Sequence, residues 1–400
     1  MARTAMPADR FVRDYFRARR YAGSKDRAAV AERLFQVFRH RASYAWRMGD
    51  ESPRALVIAA LLAENLPTDE IAALFAGGGY GPVPLTAAEQ QAITHPPAAA
   101  PPLWVQGEFP AFLEAELTAR FDGNLFAEMQ ALNERAPVDL RVNTLKAARA
   151  EVLAALRTEG YAAEPTPYAP LGIRLPAGSY GLDRTALFAA GAFEFQGEAA
   201  QIAAILCEAT AGMRVLDLAA GAGGKALALA AAMENRGVIV ASDISLARLA
   251  QISPRAARSG ATIITTASEP KGAFDRVLLD APCSGSGTWR RQPEQKWRLT
   301  PVRLAELMAL QDQLLDQAAT QVAPGGRLIY ATCSLLPCEN EGRIAAFLAR
   351  RADFAAMSAE AVWRRVTGAV SPPGMGGVFR ASPYTSGMDG FFTAVLARAE

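Results

Sequence analysis

The sequence predicts an α/β protein whose C-terminal half is a doubly wound sheet and whose N-terminal part is all helical. Three observations predict it. From Gln196 onward, short apolar runs alternate with helical stretches. The first of those runs ends in a glycine-rich turn that opens a helix. Before about Phe75 the apolar residues keep a helical period, with no strand-like alternation. At 400 residues, the chain has room for two or three domains.

Taken in order, Phe11, Tyr15, Leu34, Phe35, Phe38 and the run Ala55–Leu62 recur at three- and four-residue spacing. Ser24 or Asp26 starts a helix, and Asn65–Pro67 separates two more. Gly77–Gly79 reads as a turn and Pro96–Pro102 as a linker, so residues 1–95 form the helical domain and 96–102 join it to the rest. Residues 103–190 are mixed and read as a small α+β unit. Helices are expected at Phe109–Phe121, Leu125–Arg135 and Ala148–Gly160, with strands at Asp139–Asn143 and Ile173–Leu175. In residues 191–400, strands are expected at Arg214–Leu218, Val238–Ser242, Thr262–Thr265, Arg276–Asp280, Arg327–Thr332 and Phe391–Ala397. Helices between them include Lys225–Met233, Ser245–Ser259 and Pro301–Ala323.

Composition excludes several classes. The segment Met1–Phe16 is charged throughout, which is not a signal peptide, and no apolar stretch approaches a membrane span. The expectation is a cytoplasmic protein. Cys207, Cys283, Cys333 and Cys338 show no C-x-x-C spacing and no nearby histidine, against a zinc site or a disulfide framework. His40 and His95 both lie far from the glycine and cysteine motifs, so chemistry by cysteine and carboxylate is favoured. The net charge of +2 is unevenly spread: residues 1–50 carry 12 Lys/Arg against 5 Asp/Glu, and residues 51–140 carry 3 against 12. A basic N-terminal segment suits contact with phosphates.

The segment from Val215 through Asp217, Leu218, Ala219, Ala220, Gly221, Ala222, Gly223 and Gly224 to Lys225 is a buried strand, a glycine-rich turn and a helix start. Its glycines let the backbone approach a ligand. Asp243, at the end of the next strand, suits a ribose with its two hydroxyls. Ala219 and Ala226 stand where a phosphate-binding P-loop needs Gly and Ser/Thr, so that class is excluded; a nicotinamide-type site stays open on this segment alone.

The cysteines decide between these. One strand ends in Asp280-Ala-Pro-Cys283-Ser-Gly-Ser-Gly287 and another in Thr332-Cys333-Ser334. As neighbouring parallel strands, their carboxyl ends lie about 5 Å apart, at the edge where such sheets bind ligands. This pattern fits one demanding reaction. Carbon 5 of cytosine is a poor nucleophile; a thiolate adding at carbon 6 makes it enamine-like, able to attack a sulfonium methyl. An acidic group near N3 assists the addition, and a base must then remove the carbon 5 proton so that the thioether is eliminated. The pyrimidine must first leave any base stack. Cys207, on an apolar helix, and Cys338, beside Pro337, read as structural.

The segments Asp280-Ala-Pro-Cys-Ser-Gly-Ser-Gly-Thr-Trp-Arg-Arg-Gln-Pro-Glu294 and Tyr330-Ala-Thr-Cys-Ser-Leu-Leu-Pro-Cys-Glu-Asn-Glu341 resemble the Sun/Fmu-type (NOP-type) RNA cytosine-5 methyltransferases. Leu140–Lys146, Phe195-Gln196 and Asp389–Phe392 fit the same family, and the likeness runs from about Gly107 to the C-terminus. The helical leader, with Tyr21–Arg27, resembles the NusB-like RNA-binding domain of the ribosomal RNA branch. The resemblance implies a seven-stranded methyltransferase sheet (Rossmann-like) with an antiparallel last strand, S-adenosylmethionine as cofactor, ribosomal RNA as partner, no metal and a monomer. It makes Cys333 the nucleophile and Cys283 the residue assisting product release. It places the cofactor on Ala219–Lys225, Asp243 and Asp280, with the preceding α+β unit clamping RNA.

Departures from the family pattern fall at Ala219, Gly221, Ala222 and Ala226 in the loop, and at Gly197 and Tyr384. The family's adenine-facing Asp is replaced by Ala267, with Ser268 next to it. Arg290, Arg291, Lys296 and Arg298, interleaved with Trp289 and Trp297, are expected to meet RNA by phosphate contact and stacking, as are Arg141 and Asn143.

Overall fold

The helical period of the N-terminal sequence builds helices at Ala8–Arg17, Ser24–Arg39, Arg41–Met48, Pro53–Ala63, Thr68–Leu74 and Ala87–Thr94. The computed structural model describes residues 6–79 and 81–400, so Met1–Ala5 of the charged leader lie outside the described residues. Local chemistry sets the helix ends. The Ser52 hydroxyl accepts from the Ala55 amide ahead of Pro53, and Thr86 with Glu89 closes a reciprocal cap. Asn65, at φ 58°, turns the chain out of one helix before Pro67 leads into the next. Tyr44, Met48, Ile58, Leu61, Ile71, Phe75 and Ile93 form the core of this region.

The proline-rich segment 96–102 is not where the unit ends. The helical unit continues to Glu134 and also includes Trp289–Pro301, while Arg135–Thr288 and Val302–Glu400 make the second unit. The reason lies in Glu108, which is buried and accepts hydrogen bonds from the amides of Ala42 (2.8 Å) and Ser43 (3.1 Å). It caps the helix Arg41–Met48 from across the supposed linker, so the helices Glu114–Phe121 and Leu125–Asn133 belong to the helical unit. Trp297 donates through Nε1 to the Phe38 carbonyl at 2.6 Å, tying the later segment in.

The second unit opens with a four-stranded antiparallel sheet of β1 (Val138–Val142), β2 (Glu164–Pro165), β3 (Gly172–Leu175) and β4 (Phe193–Phe195), in the order β2-β3-β1-β4. The strands β1 and β3 match their expected positions. The main sheet comprises β5 (Arg214–Leu218), β6 (Val238–Ser242), β7 (Ile264–Thr266), β8 (Phe274–Asp280), β9 (Val322–Thr332), β10 (Phe354–Met357), β11 (Phe379–Ala381) and β12 (Phe391–Arg398). Its order is β10-β12-β9-β8-β5-β6-β7, with the short β11 also on β12. The seven-stranded path is the expected one, and β12 runs antiparallel to β9, as the resemblance implied.

Order reverses between β5 and β8, so the crevice at a doubly wound sheet's switch point lies between their carboxyl ends. Leu218 pairs with Leu279 there, and Asp280 with Ala331. Apolar layers cover both faces: Leu216, Val277, Leu315 and Phe347 pack on one side, and Val215, Leu229, Ile239 and Leu278 on the other. The expected helix Ser245–Ser259 is broken into Leu246–Leu249 and Ile252–Ser259, because Pro254 is accepted only in a first helical turn. Among the described residues, no helix is long and apolar enough to cross a membrane.

Candidate active site

The glycine-rich turn follows β5 and carries three left-handed residues, Ala219 (φ 65°), Gly221 (φ 57°) and Gly223 (φ 81°). At Gly221 the left-handed backbone is what favours glycine: an added Cβ would meet only the Arg248 guanidinium, the far end of an exposed side chain that can swing aside. Asp243, at the end of β6, accepts from the amides of Gly221 and Ser245, each at 2.8 Å. It is 7% exposed and is first of all a clasp for the loop; any ribose contact uses its remaining lone pairs.

Beside the loop lies a cavity of about 220 Å³ lined by Gln196, Asp217, Ala220, Ala222, Gly224, Lys225, Arg248 and Asp280. Asp217 is fully buried within β5, and neither of its carboxylate oxygens has a hydrogen-bond partner of good geometry. Burial, with Asp280 and Asp243 adding to it, pushes its carboxyl up to about 7 against the pull of Lys225. An orphaned buried acid at a cavity wall fits a ligand that brings a cationic amino group, as S-adenosylmethionine does. Sequence reasoning assigned Asp217 no role, although an acid inside Val-Leu-Asp-Leu is a visible break in a buried strand.

Lys225 pairs with Asp280 at 2.5 Å, joining the loop after β5 to the end of β8. Burial works against its charge, yet Asp280 and then Asp217 hold its pKa above the usual lysine value. A residue expected only on the cofactor thus reaches the chemical side of the crevice.

The two expected thiols meet. Cys283 Sγ and Cys333 Sγ are 3.4 Å apart, both half-buried. Their mutual hydrogen bond, and then burial, raise the Cys283 thiol well above its ordinary pKa. Cys207 is fully buried, with its pKa pushed up to about 12 by burial, in keeping with a structural residue. Among the described residues no cluster of His, Cys, Asp and Glu could hold a metal ion.

The expected RNA contacts need correction. Arg141 is 5% exposed; it donates to the Gly224 carbonyl at 2.8 Å and to Gln196, so it braces the helix that follows the glycine-rich turn. Asn143 donates to the carbonyls of Gly191 (2.9 Å) and Ser259 (2.7 Å) from a buried position. Lys296 is 1% exposed and donates to Asn133 at 2.6 Å, while Arg290 and Trp289 are also buried. Trp297 and Arg298 are half-buried, Arg298 donating to the Met6 carbonyl at 2.8 Å, and of these candidates Arg291 alone is exposed. Arg290 and Lys296 are enclosed because the segment Trp289–Pro301 packs within the helical unit. At the end of β7, Ala267 donates its amide to the Ala241 carbonyl and Ser268 is exposed; neither supplies the expected carboxylate.

The family model described as 16S rRNA methyltransferase RsmB/F matches residues 204–397, and that of the RsmF/B-like ferredoxin-like domain matches residues 109–179. A probable ribosomal RNA small subunit methyltransferase B of Synechocystis sp. is 33% identical over 276 residues, covering 67% of this chain and 61% of that protein. The ribosomal RNA small subunit methyltransferase B of Salmonella newport is 36% identical over 282 residues, covering 68% and 62%. The chain therefore spans less than two thirds of the length of these curated relatives. The crystal structure of PH0851 shares the fold, with a TM-score of 0.75 at 24% identity over 96% of this chain and 93% of that one.

Proposed function

The chain belongs to the RsmB/F methyltransferase family, and from that premise we propose that it methylates carbon 5 of a cytosine in small-subunit ribosomal RNA. The observation that carries this reading is the pair of thiols 3.4 Å apart beside the Lys225–Asp280 pair.

Bound S-adenosylmethionine supplies the electrophilic sulfonium methyl. Asp217, the 219–225 loop and Asp243 hold it at the switch point. Cys333, as thiolate, forms the bond to carbon 6 of a cytosine turned out of its stack. Asp280 accepts from the exocyclic amino group, and Lys225 donates toward N3 or O2, where electron density gathers as the thiolate adds. After transfer, carbon 5 carries both methyl and proton. Cys283, its own proton released to solvent, takes that proton as thiolate, the double bond reforms, and the carbon 6–sulfur bond breaks to return Cys333 as thiolate.

The pair also times the roles. The Cys333 sulfur is the first cause of the raised Cys283 pKa, so once that sulfur is bound to carbon 6, Cys283 ionises more readily and is ready to act as base. The exposed basic residues Arg13, Arg20 and Lys25 of the N-terminal region make phosphate contacts. The protein works as a cytoplasmic monomer without a metal: activity should survive a chelator, and light scattering should give the mass of one chain.

The test is methyl transfer from labelled S-adenosylmethionine to unmodified small-subunit ribosomal RNA, with the product cytosine mapped by bisulfite sequencing. A single protected cytosine, lost with Cys333→Ala, supports the reading. Ala267 in place of the expected acid favours one rival, an RNA-binding protein that has lost cofactor binding. Calorimetry showing no uptake of S-adenosylmethionine at millimolar concentration would select that rival.

A further inference from the structure

Each of the two cysteines is followed by a serine, and both serines end on one buried side chain. Glu339 is fully buried in the turn after β9, and its carboxylate accepts four hydrogen bonds. Oε1 receives the Ser284 amide at 2.8 Å and Gln311 Nε2 at 3.0 Å. Oε2 receives the Ser284 hydroxyl at 2.5 Å and the Ser334 hydroxyl at 2.6 Å. Gln311, on the helix Pro301–Gln321, also donates to the Pro282 carbonyl at 2.9 Å. Ser286 completes the ring, lying 3.1 Å from the Ser334 hydroxyl and accepting from the Leu335 amide at 2.8 Å. One carboxylate therefore spans the loop after β8, the loop after β9 and the helix behind them.

This is more than the sheet needs to hold together. The ladder between β8 and β9 ends at Asp280 and Ala331; past it the Ala281 amide donates to the Ala331 carbonyl and the Gly287 amide to the Cys333 carbonyl at 2.9 Å. Neither backbone bond holds the segment from Pro282 to Ser286, and there Cys283 is tied to the Cys333 loop by side chains. All four donors to Glu339 are neutral, so none of them cancels the charge of its carboxylate. That charge is among the causes that raise the Cys283 pKa.

We propose that Glu339 is a positioning residue: it clasps the two cysteine loops through Ser284 and Ser334, and its buried carboxylate sets the order in which Cys333 and Cys283 act. The proposal rests on the catalytic reading above for its consequence, and on geometry alone for the clasp. A carboxyl here is better than an amide for both tasks, because it accepts from four donors at once and carries the charge. In the catalytic cycle it delays the ionisation of Cys283, and makes it a stronger base once ionised.

Glu339→Gln keeps size and shape, and the serine hydroxyls can turn to accept from the amide. Iodoacetamide labelling of the whole protein, read residue by residue by mass spectrometry across pH 6 to 10, reports both thiols without any need for methyl transfer. The expected result is that Cys283 labelling moves to lower pH in Glu339→Gln by about one unit, a tenfold faster reaction at fixed pH. In the methylation assay, covalent RNA–protein adduct should build up several-fold while KM for S-adenosylmethionine stays put. Ser334→Ala removes one arm of the clasp and serves if Glu339→Gln does not fold; it should move Cys283 labelling in the same direction. A shifted profile in a protein that methylates nothing keeps the clasp and rejects the catalytic reading. Unshifted Cys283 labelling in both variants, with wild-type adduct levels in an active enzyme, overturns the clasp.

Discussion

Each unit of the protein encloses a lysine, and the two answer burial in opposite ways. Lys225, in the sheet unit, faces Asp280 and Asp217 and keeps its charge more firmly than a free lysine does. Lys296, in the helical unit, faces Asn133 and the Arg39 carbonyl, and burial pulls its pKa down to about 7 despite Glu108. Desolvation acts on both; the carboxylates decide the outcome. The difference separates a cation that the crevice uses from one that serves as packing. It also shows why a basic stretch in a sequence is a poor guide to a basic surface: Lys296 and Arg290 are charged in composition and absent from the exterior.

The thiol pair gives the largest effect by which to sharpen this contrast. Cys333→Ala should lower methyl transfer by at least about 10³-fold. Cys283→Ala should instead stall with RNA covalently bound, visible as a band resistant to denaturing gel electrophoresis. The reverse pattern would exchange the two roles.

Next come the lysines. Lys225→Met should cost about 10²-fold in kcat, as loss of a charged donor beside the reacting ring does. Lys296→Met should leave kcat within about threefold and act on stability alone. With its folded pKa below the free value of about 10.4, Lys296 binds fewer protons in the native state than in the unfolded chain between pH 7 and 10. Its effect is therefore a loss of stability as pH falls through that window. Thermal melts at pH 9 and 7 should show a wild-type drop that is smaller in Lys296→Met. Equal kcat losses in both variants would erase the contrast.

Asp217 gives a third, smaller effect of opposite sign. Its folded pKa of about 7 lies above the free value of about 3.9, so the native state binds more protons and stability falls as pH rises from 4 to 7. Asp217→Asn should melt a few degrees higher at pH 8 without cofactor, on the order of 1 kcal/mol or more, yet bind S-adenosylmethionine more weakly. Wild-type affinity should itself weaken as pH drops below 7, measured by calorimetry. The smallest effect belongs to Arg291→Ala, which should reduce the salt slope of RNA binding by about one charge and change kcat little. Arg141→Ala should leave that slope unchanged and weaken cofactor binding, since its partners are Gly224 and Gln196.

Where backbone pattern speaks, the sequence was sufficient: β5 and β6 stand at their expected residues, because buried parallel strands are continuous apolar runs bounded by turns. The strands it did not reveal, β2, β4, β10 and β11, are two to four residues long, too short for a period. The glycine turn and both cysteine motifs were legible for a similar reason, since turn geometry and a thiol are properties of the residues themselves. What only the tertiary structure decided is which charges face one another. The 55-residue separation of Lys225 from Asp280, the burial of Arg141, Asn143 and Lys296, and the reach of Glu108 and Glu339 across loops all depend on distant segments. A side chain's type states what it can donate or accept; whether water or a carboxylate meets it is settled by what packs opposite.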